Sequence, residues 1–291
     1  MLEKIRVMVV DDSAFMRVFI SDMINGEVDM EVIGTARNGD VAIEKVKSLN
    51  PDVITLDVEM PGKNGLEVLK EIKQRSSSEV IMLSSLTAGG SSITMEALEI
   101  GAFDFVQKPS GLKNQKIEGV KNELVEKIRY AKAITKRFKA NKPVTEETKV
   151  AKVTVDGGIK VEAVALGAST GGPKALYETL TKLPGDINVP VFVVQHMPSG
   201  FTQAFANRLN NNSKLKVVEA KDEELIYPGV VYVAPGGYHM LIQRDRIKLD
   251  TSPTLHGVRP AVDKLFISAS EVYASGLLCC VFTGMGKNGA A

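Results

Sequence analysis

VEAVALGASTGGPKAL, residues 161–176, is the stretch from which the rest of the chain is read. Residues 161–166 are a short apolar run of strand length, and 167–172 (GASTGG) are too rich in glycine for a helix interior. Pro173 falls at the first helical position, and Leu176, Leu180 and Leu183 follow at helical spacing. Strand, tight turn and helix place Ser169 at the centre of a G-x-S-x-G turn. A serine there is exposed at the carboxyl edge of a sheet, beside a helix amino end whose N–H groups suit a developing oxyanion. The loop alone is equally compatible with a phosphate-binding glycine turn, so the residues downstream must decide.

A serine nucleophile needs a base in hydrogen-bond reach and a partner that orients the base. The run 191–195 (VFVVQ) ends at His196, the one histidine of three directly at a predicted strand's carboxyl end. His239 falls inside a hairpin strand and His256 in a loop, as structural or surface residues. Further candidate strands are 215–219, then 230–234 and 238–242 flanking Pro235-Gly236-Gly237, with 246–250 extending a meander. A helix from Pro260 carries Val262, Leu265, Phe266 and Ala269, and 277–282 is the last strand. The loop after it offers Asn288 as the third member of the group.

The first half alternates strands and helices from the start. Residues 5–10 end at Asp11-Asp12-Ser13, 53–56 end at Asp57, 80–83 at Ser84-Ser85, and 103–107 at Lys108-Pro109. With 31–36, these five strands and their intervening helices require a parallel sheet covered on both faces. Asp11, Asp12, Asp57, Ser84 and Lys108 all fall at carboxyl ends of strands, where open parallel sheets bind ligands. Three carboxylates brought together call for a hard cation, and a lysine and hydroxyl opposite complete a phosphoryl pocket on Asp57. A helix over 116–139 carries Ile117, Val120, Leu124, Ile128 and Ala131 on one face, and the polar stretch 140–157 reads as a linker.

Composition narrows the class. The 291 residues suffice for two domains, and 44% hydrophobic content supports sizeable cores. A net charge of +1 gives no electrostatic case for nucleic acid or an anionic membrane, and no apolar run reaches bilayer length. The amino end is charged within three residues, unlike a signal peptide. The two cysteines, Cys279 and Cys280, are adjacent on a strand and point to opposite faces, so neither a joint metal site nor a disulfide is expected. A cytoplasmic, reduced setting is expected.

VVDDS, ITLDVEMPGKNG, MLSSLT and GAFDFVQKP make residues 5–109 resemble the receiver domain of two-component response regulators. The resemblance implies a flavodoxin-like fold, phosphorylation at Asp57, and Mg²⁺ held by Asp12, Asp57, the Glu59 carbonyl and, through water, Asp11. It also implies Ser84 and Lys108 as the residues that sense the phosphoryl group, and a cis bond before Pro109.

ALGASTGGPKAL, VVQHMPSGFT, YVAPGGYHM, RPAVDKLF and FTGMGKNGA make the second half resemble the catalytic domain of the chemotaxis protein-glutamate methylesterases, the CheB family. The expected architecture is α/β, two doubly wound parallel-sheet domains: a receiver over 1–122, a connector helix and linker over 123–158, and a Rossmann-like methylesterase domain over 159–291. The resemblance implies hydrolysis of glutamate methyl esters and deamidation of glutamines on methyl-accepting receptors, with no cofactor for hydrolysis. Ser169 is then nucleophile and His196 base, with Thr170 and the Met285 backbone supporting the transition state. A monomer phosphorylated by a chemotaxis histidine kinase is implied, its unphosphorylated receiver obstructing the active site. Two departures stand out. The family pattern G-M-G-x-D-G-A has aspartate where this chain has Asn288, and the sequence stops at Ala291, short of the family's further elements. A catalytically weak, phospho-dependent binding module is therefore the alternative expectation.

Overall fold

Each apolar run that ends in a polar residue becomes a parallel strand. The computed structural model of the chain describes residues 4–85, 87–109, 114–140, 160–284 and 289, and divides it into two units, Met1–Val144 and Thr145–Ala291.

In the first unit the strands are β1 (Ile5–Val10), β2 (Met30–Ala36), β3 (Val53–Asp57), β4 (Glu79–Ser84) and β5 (Asp104–Gln107), ordered β2-β1-β3-β4-β5 with every pairing parallel. The central strands are buried on both faces, which is why they read as continuous Val/Ile/Leu runs rather than alternating ones. The helices are α1 (Ala14–Asn25), α2 (Gly39–Leu49), α3 (Gly65–Arg75), α4 (Ala88–Ile100) and α5 (Asn114–Ala140). Short polar residues start the first four: Ser13, Asn38, Asn64 and Thr87 each accept a first-turn N–H, and Asn64 with Glu67 forms a capping box.

The fifth helix runs unbroken through residue 122, where the sequence reading divided receiver from connector. Leu124, Val125, Ile128 and Ala131 lie in the receiver core, so this part of α5 belongs to the first unit's packing. Charge fixes its register. Lys127 is buried with Nζ 3.2 Å from Asp104, 2.7 Å from Glu123 and 2.5 Å from the Phe105 carbonyl, and Arg129 grips Asp29 through two 2.8 Å bonds. The stretch 140–157 read as a linker lies outside the described residues but for Ala140, the last residue of α5.

The second unit holds β6 (Ala163–Ala168), α6 (Gly172–Leu180), β7 (Val191–Gln195), α7 (Phe201–Asn212), β8 (Lys216–Glu219), β9 (Val230–Val233), β10 (His239–Gln243), β11 (Arg246–Asp250), α8 (Val262–Tyr273) and β12 (Leu277–Val281). Its main sheet is parallel, ordered β12-β6-β7-β9-β8. The expected meander is corrected: β9 joins the parallel sheet, and only β10 and β11 form an antiparallel ribbon. Burial explains the difference. Val231, Tyr232 and Val233 are fully enclosed, as a central parallel strand requires, whereas the ribbon packs its Met240, Ile242 and Ile247 against Val262, Leu265 and Ala269. β12 is an edge strand, with Leu278, Cys279, Cys280 and Val281 exposed.

Among the described residues the cis peptide bond precedes Pro260, not Pro109 as the resemblance implied. The two X–Pro isomers differ by only about 0.5–1 kcal/mol locally, so surrounding packing decides between them.

Candidate functional site

Two polar clusters form, one at the carboxyl edge of each parallel sheet. In the first unit, β1 and β3 deliver Asp11, Asp12 and Asp57, whose nearest ligand oxygens lie within 4.8 Å of one another. Asp11 and Asp57 are buried and Asp12 is exposed. β5 delivers Lys108, whose Nζ stands 2.7 Å from Asp11 Oδ2 and 2.8 Å from Asp57 Oδ1. Burial lifts the Asp57 carboxyl to a pKa of about 6, with the Asp11 charge adding and Lys108 opposing. Burial works against the Lys108 ammonium, but the two carboxylates outweigh it and hold the group above the ordinary lysine value. Two enclosed carboxylates and a third at the rim, all oxygen donors at close range, fit a hard divalent cation. Glu59 contributes its N–H to Asp57 Oδ1 at 3.2 Å.

Ser84 lies at the end of β4, fully buried, paired across the ladder with Gln107. Its hydroxyl accepts from Thr94 Oγ1 at 2.8 Å and its carbonyl accepts from the Lys108 N–H at 2.8 Å. The link to α4 through Thr94 was not read from sequence, since a threonine inside a helix carries no motif. Two other residues' contacts were missed. Arg17 donates to the Asp11 and Asp12 carbonyls at 2.8 and 3.0 Å, and the Glu59 carboxylate accepts from Ser85 Oγ at 2.8 Å and Thr87 Oγ1 at 3.3 Å.

In the second unit, β6 and β7 run in register to Ala168 and Gln195, and the next residue on each carries the chemistry. Ser169 Oγ lies 3.0 Å from His196 Nδ1. The turn is tied on several sides: Gly172 N–H donates to the Ser169 carbonyl at 2.7 Å, and Ser169 N–H donates to the Thr283 carbonyl at 2.8 Å. Thr283 Oγ1 donates to the Thr170 carbonyl at 3.0 Å, and Thr170 itself is buried. Gly284 follows at φ +156°, where an added Cβ would stand 2.5 Å from the Ser169 Cβ, so only glycine lets this loop lie against the nucleophile turn.

Met285 and Asn288 lie outside the described residues. Gly289, just beyond, donates its N–H to Asp263 Oδ1, and Asp263 Oδ2 stands 3.2 Å from His256 Nε2. Asp263 is buried and was missed in the sequence, where an acid in a first helical turn reads as dipole compensation. His239 is fully buried: Nδ1 accepts from the Ala261 N–H and Nε2 donates to the Pro253 carbonyl, both at 3.1 Å. It is structural.

An acidic pocket on one doubly wound sheet and a serine–histidine pair on another define the layout of a receiver domain followed by a serine-hydrolase domain. Comparison with known sequences agrees. The response regulator receiver domain profile matches residues 7–117, and the CheB methylesterase profile matches residues 164–291. A Clostridium acetobutylicum protein named protein-glutamate methylesterase/protein-glutamine glutaminase is 51% identical over 293 residues, covering 99% of this chain and 83% of that protein. Proteins of the same name from Thermotoga maritima and Bacillus subtilis are 46% and 43% identical, over 98% and 99% of this chain and 83% and 84% of theirs. The chain belongs to the CheB methylesterase family, in the form that carries a receiver domain.

Among the described residues no helix is long and apolar enough to cross a membrane.

Proposed function

We propose that this chain hydrolyses glutamate γ-methyl esters on chemoreceptors, and the side-chain amides of certain receptor glutamines, under control of a phosphoryl group on Asp57. The observation that carries the reading is the 3.0 Å contact between Ser169 Oγ and His196 Nδ1 at a sheet's carboxyl edge. The activity named for the relatives supports the substrate class.

Ser169 Oγ attacks the ester carbonyl carbon while His196 Nδ1 takes the hydroxyl proton. The oxyanion develops beside the amino end of α6, with Thr170 and the Met285 backbone in support. His196 returns its proton to the departing methoxide, and methanol leaves an acyl-enzyme. Water, deprotonated by His196, then releases the glutamate carboxylate and restores Ser169. With a glutamine substrate the leaving group is ammonia and the product the same. Because Nδ1 faces the serine, the orienting partner must address Nε2–H, and Asn288 is proposed for that place.

In the receiver, an Asp57 oxygen attacks the phosphorus of a kinase phosphohistidine, whose P–N bond breaks to release the kinase imidazole, and Lys108 stays within reach of the charge that builds there. Asp12, Asp57, the Glu59 carbonyl and, through water, Asp11 would hold Mg²⁺, which when bound neutralises phosphoryl oxygens. Ser84 and Lys108 then report the phosphoryl group, Ser84 through its bond to α4. The histidine kinase, the receptors, a monomeric state and a cytoplasmic setting belong to the same proposal.

Methanol release from methylated receptor, with and without a phosphoryl donor, tests it. Release should rise with the donor, fall by about 10³-fold or more in Ser169→Ala, and lose its donor response in Asp57→Asn. Release that survives Ser169→Ala would overturn the reading.

A further inference from the structure

The serine–histidine contact depends on two strand ends staying in place just past the last paired residues of their ladder. Ala168 and Gln195 are that last pair on β6 and β7, and Ser169 and His196 come immediately after them. A backbone bond from His196 N–H to the Ala168 carbonyl crosses here at 3.3 Å, at the long end for such a bond. The Gln195 side chain adds a second crossing. Its Nε2 donates to the Ser169 carbonyl at 2.9 Å and to the His196 carbonyl at 3.2 Å. Two carbonyl oxygens accept only a donor, so the amide can sit in one orientation alone.

That orientation leaves Gln195 Oε1 buried with no hydrogen-bond partner among the described residues, in a side chain that is 2% exposed. Its surroundings are shaped to admit it: a Cβ added to Gly172 would stand 2.0 Å from Oε1 and 2.7 Å from the Ala168 Cβ. An unsatisfied buried acceptor is unfavourable, and a methionine of the same length would fill the space without one. An amide that bridges nucleophile and base, at the expense of an orphaned oxygen, is the pattern of a residue kept for the site rather than for the core.

We infer that Gln195 is a positioning residue for hydrolysis, its amide tying the Ser169 and His196 main chains together and setting the distance across which the proton moves. The inference rests on Ser169 and His196 being nucleophile and base. Gln195 reaches the reacting atoms only through them. Loosening the tie lowers the fraction of molecules with Oγ and Nδ1 in contact, which slows the chemical step and leaves substrate binding alone.

Three variants of the full chain test this, each compared with wild type and Ser169→Ala. Gln195→Met keeps the length and removes both donations; Gln195→Glu keeps the length and aims acceptors at two carbonyls. Gly172→Ala leaves Gln195 intact but presses on its amide from the other side. The readouts are methanol release, the rate of Ser169 labelling by a fluorophosphonate, and the folded fraction by circular dichroism.

Gln195→Met should lose about 10- to 100-fold in kcat and in labelling rate per folded molecule, with KM changed by less than about threefold. Gln195→Glu should lose more than Gln195→Met, and Gly172→Ala should slow labelling in the same direction. The pH profile of kcat should move in Gln195→Met, because the imidazole is less firmly held. Labelling and turnover within about twofold of wild type per folded molecule would overturn the inference, whether or not the variants are less stable. A wild-type chain no faster than Ser169→Ala would instead overturn the hydrolase reading beneath it.

Discussion

The two units place their chemistry at the same address, the carboxyl edge of a parallel sheet, and hold it by opposite means. The receiver pocket is organised by charge: three carboxylates converge, and Lys108 stands within 2.8 Å of two of them. The hydrolase site is organised by neutral hydrogen bonds: Ser169, His196, Thr283 and the Gln195 amide meet through carbonyls, hydroxyls and N–H groups. Charges at close range in a buried site shift one another's proton affinity, whereas a neutral lattice fixes distance and leaves charge to be supplied in the transition state. Binding and releasing a phosphoryl group needs the first arrangement; holding an attack distance near 3 Å needs the second.

The largest test of this contrast is to put a charge into the second site. Asn288→Asp places a carboxylate where the family pattern has one. An amide oxygen can orient the imidazole but cannot stabilise it once protonated, and in the serine-protease template the loss is about 10⁴ in turnover. Turnover should rise in Asn288→Asp by about tenfold at least, with that factor as its ceiling. A rise smaller than about twofold would mean that the neutral site already has its carboxylate, and Asp263, which binds the Gly289 N–H, would be the first to examine.

The same contrast explains what the sequence could show. Asp11, Asp57 and Lys108 were legible because charged residues at strand ends are conspicuous in an apolar background, and strand ends are found from hydrophobic runs. Ser169 and His196 were legible by the glycines and the strand that present them. Gln195, Thr94 and Asp263 were not. Each acts through a hydrogen bond to a residue distant in sequence, and an amide, a hydroxyl or a first-turn acid has many duller uses. The β9 misreading has a similar cause: the glycine pair after Pro235 marks a reversal, but whether the strand before it pairs with the one after depends on the whole sheet. The course of α5 past residue 122 was legible from its apolar face, but its place in the receiver core was not, because that is set by the strands and α1 it packs against.

Within the first unit, charge also does purely structural work, and removing it should cost more than removing any surface pair. Lys127 is enclosed with Asp104, whose side chain is 3% exposed, and with Glu123. Burial disfavours the ammonium, but the two carboxylates outweigh that and raise its pKa. Lys127→Met leaves Asp104 buried without its cation, so the receiver should lose about 3–5 kcal/mol, read in urea unfolding followed by hydrogen exchange at β5 and α5. Lys127→Met with Asp104→Leu should recover most of the loss. If Lys127→Met is within about 1 kcal/mol of wild type, the triad is a solvated surface cluster and not a buried lock.

The smallest effect concerns Asp57, where function keeps a charge that folding disfavours. Its carboxyl sits at a pKa of about 6 in the folded chain, against 3.8 for the free group. Between those values the folded state holds a proton that the unfolded state has released, so this group favours folding most below pH 3.8. Its contribution then falls as pH rises toward 6 and stays low above it. Two pKa units correspond to about 3 kcal/mol, an upper figure because the Lys108 contact is shared with Asp11. Asp57→Asn, which does not titrate, should therefore be more stable than wild type by about 2–3 kcal/mol at pH 8 in magnesium-free buffer, and the two should converge near pH 4. Adding Mg²⁺ at pH 8 should narrow the gap by stabilising wild type alone. Parallel stability curves for the two proteins across that range would show that Asp57 is ionised without strain, and the receiver pocket would then be as neutral in its energetics as the hydrolase site.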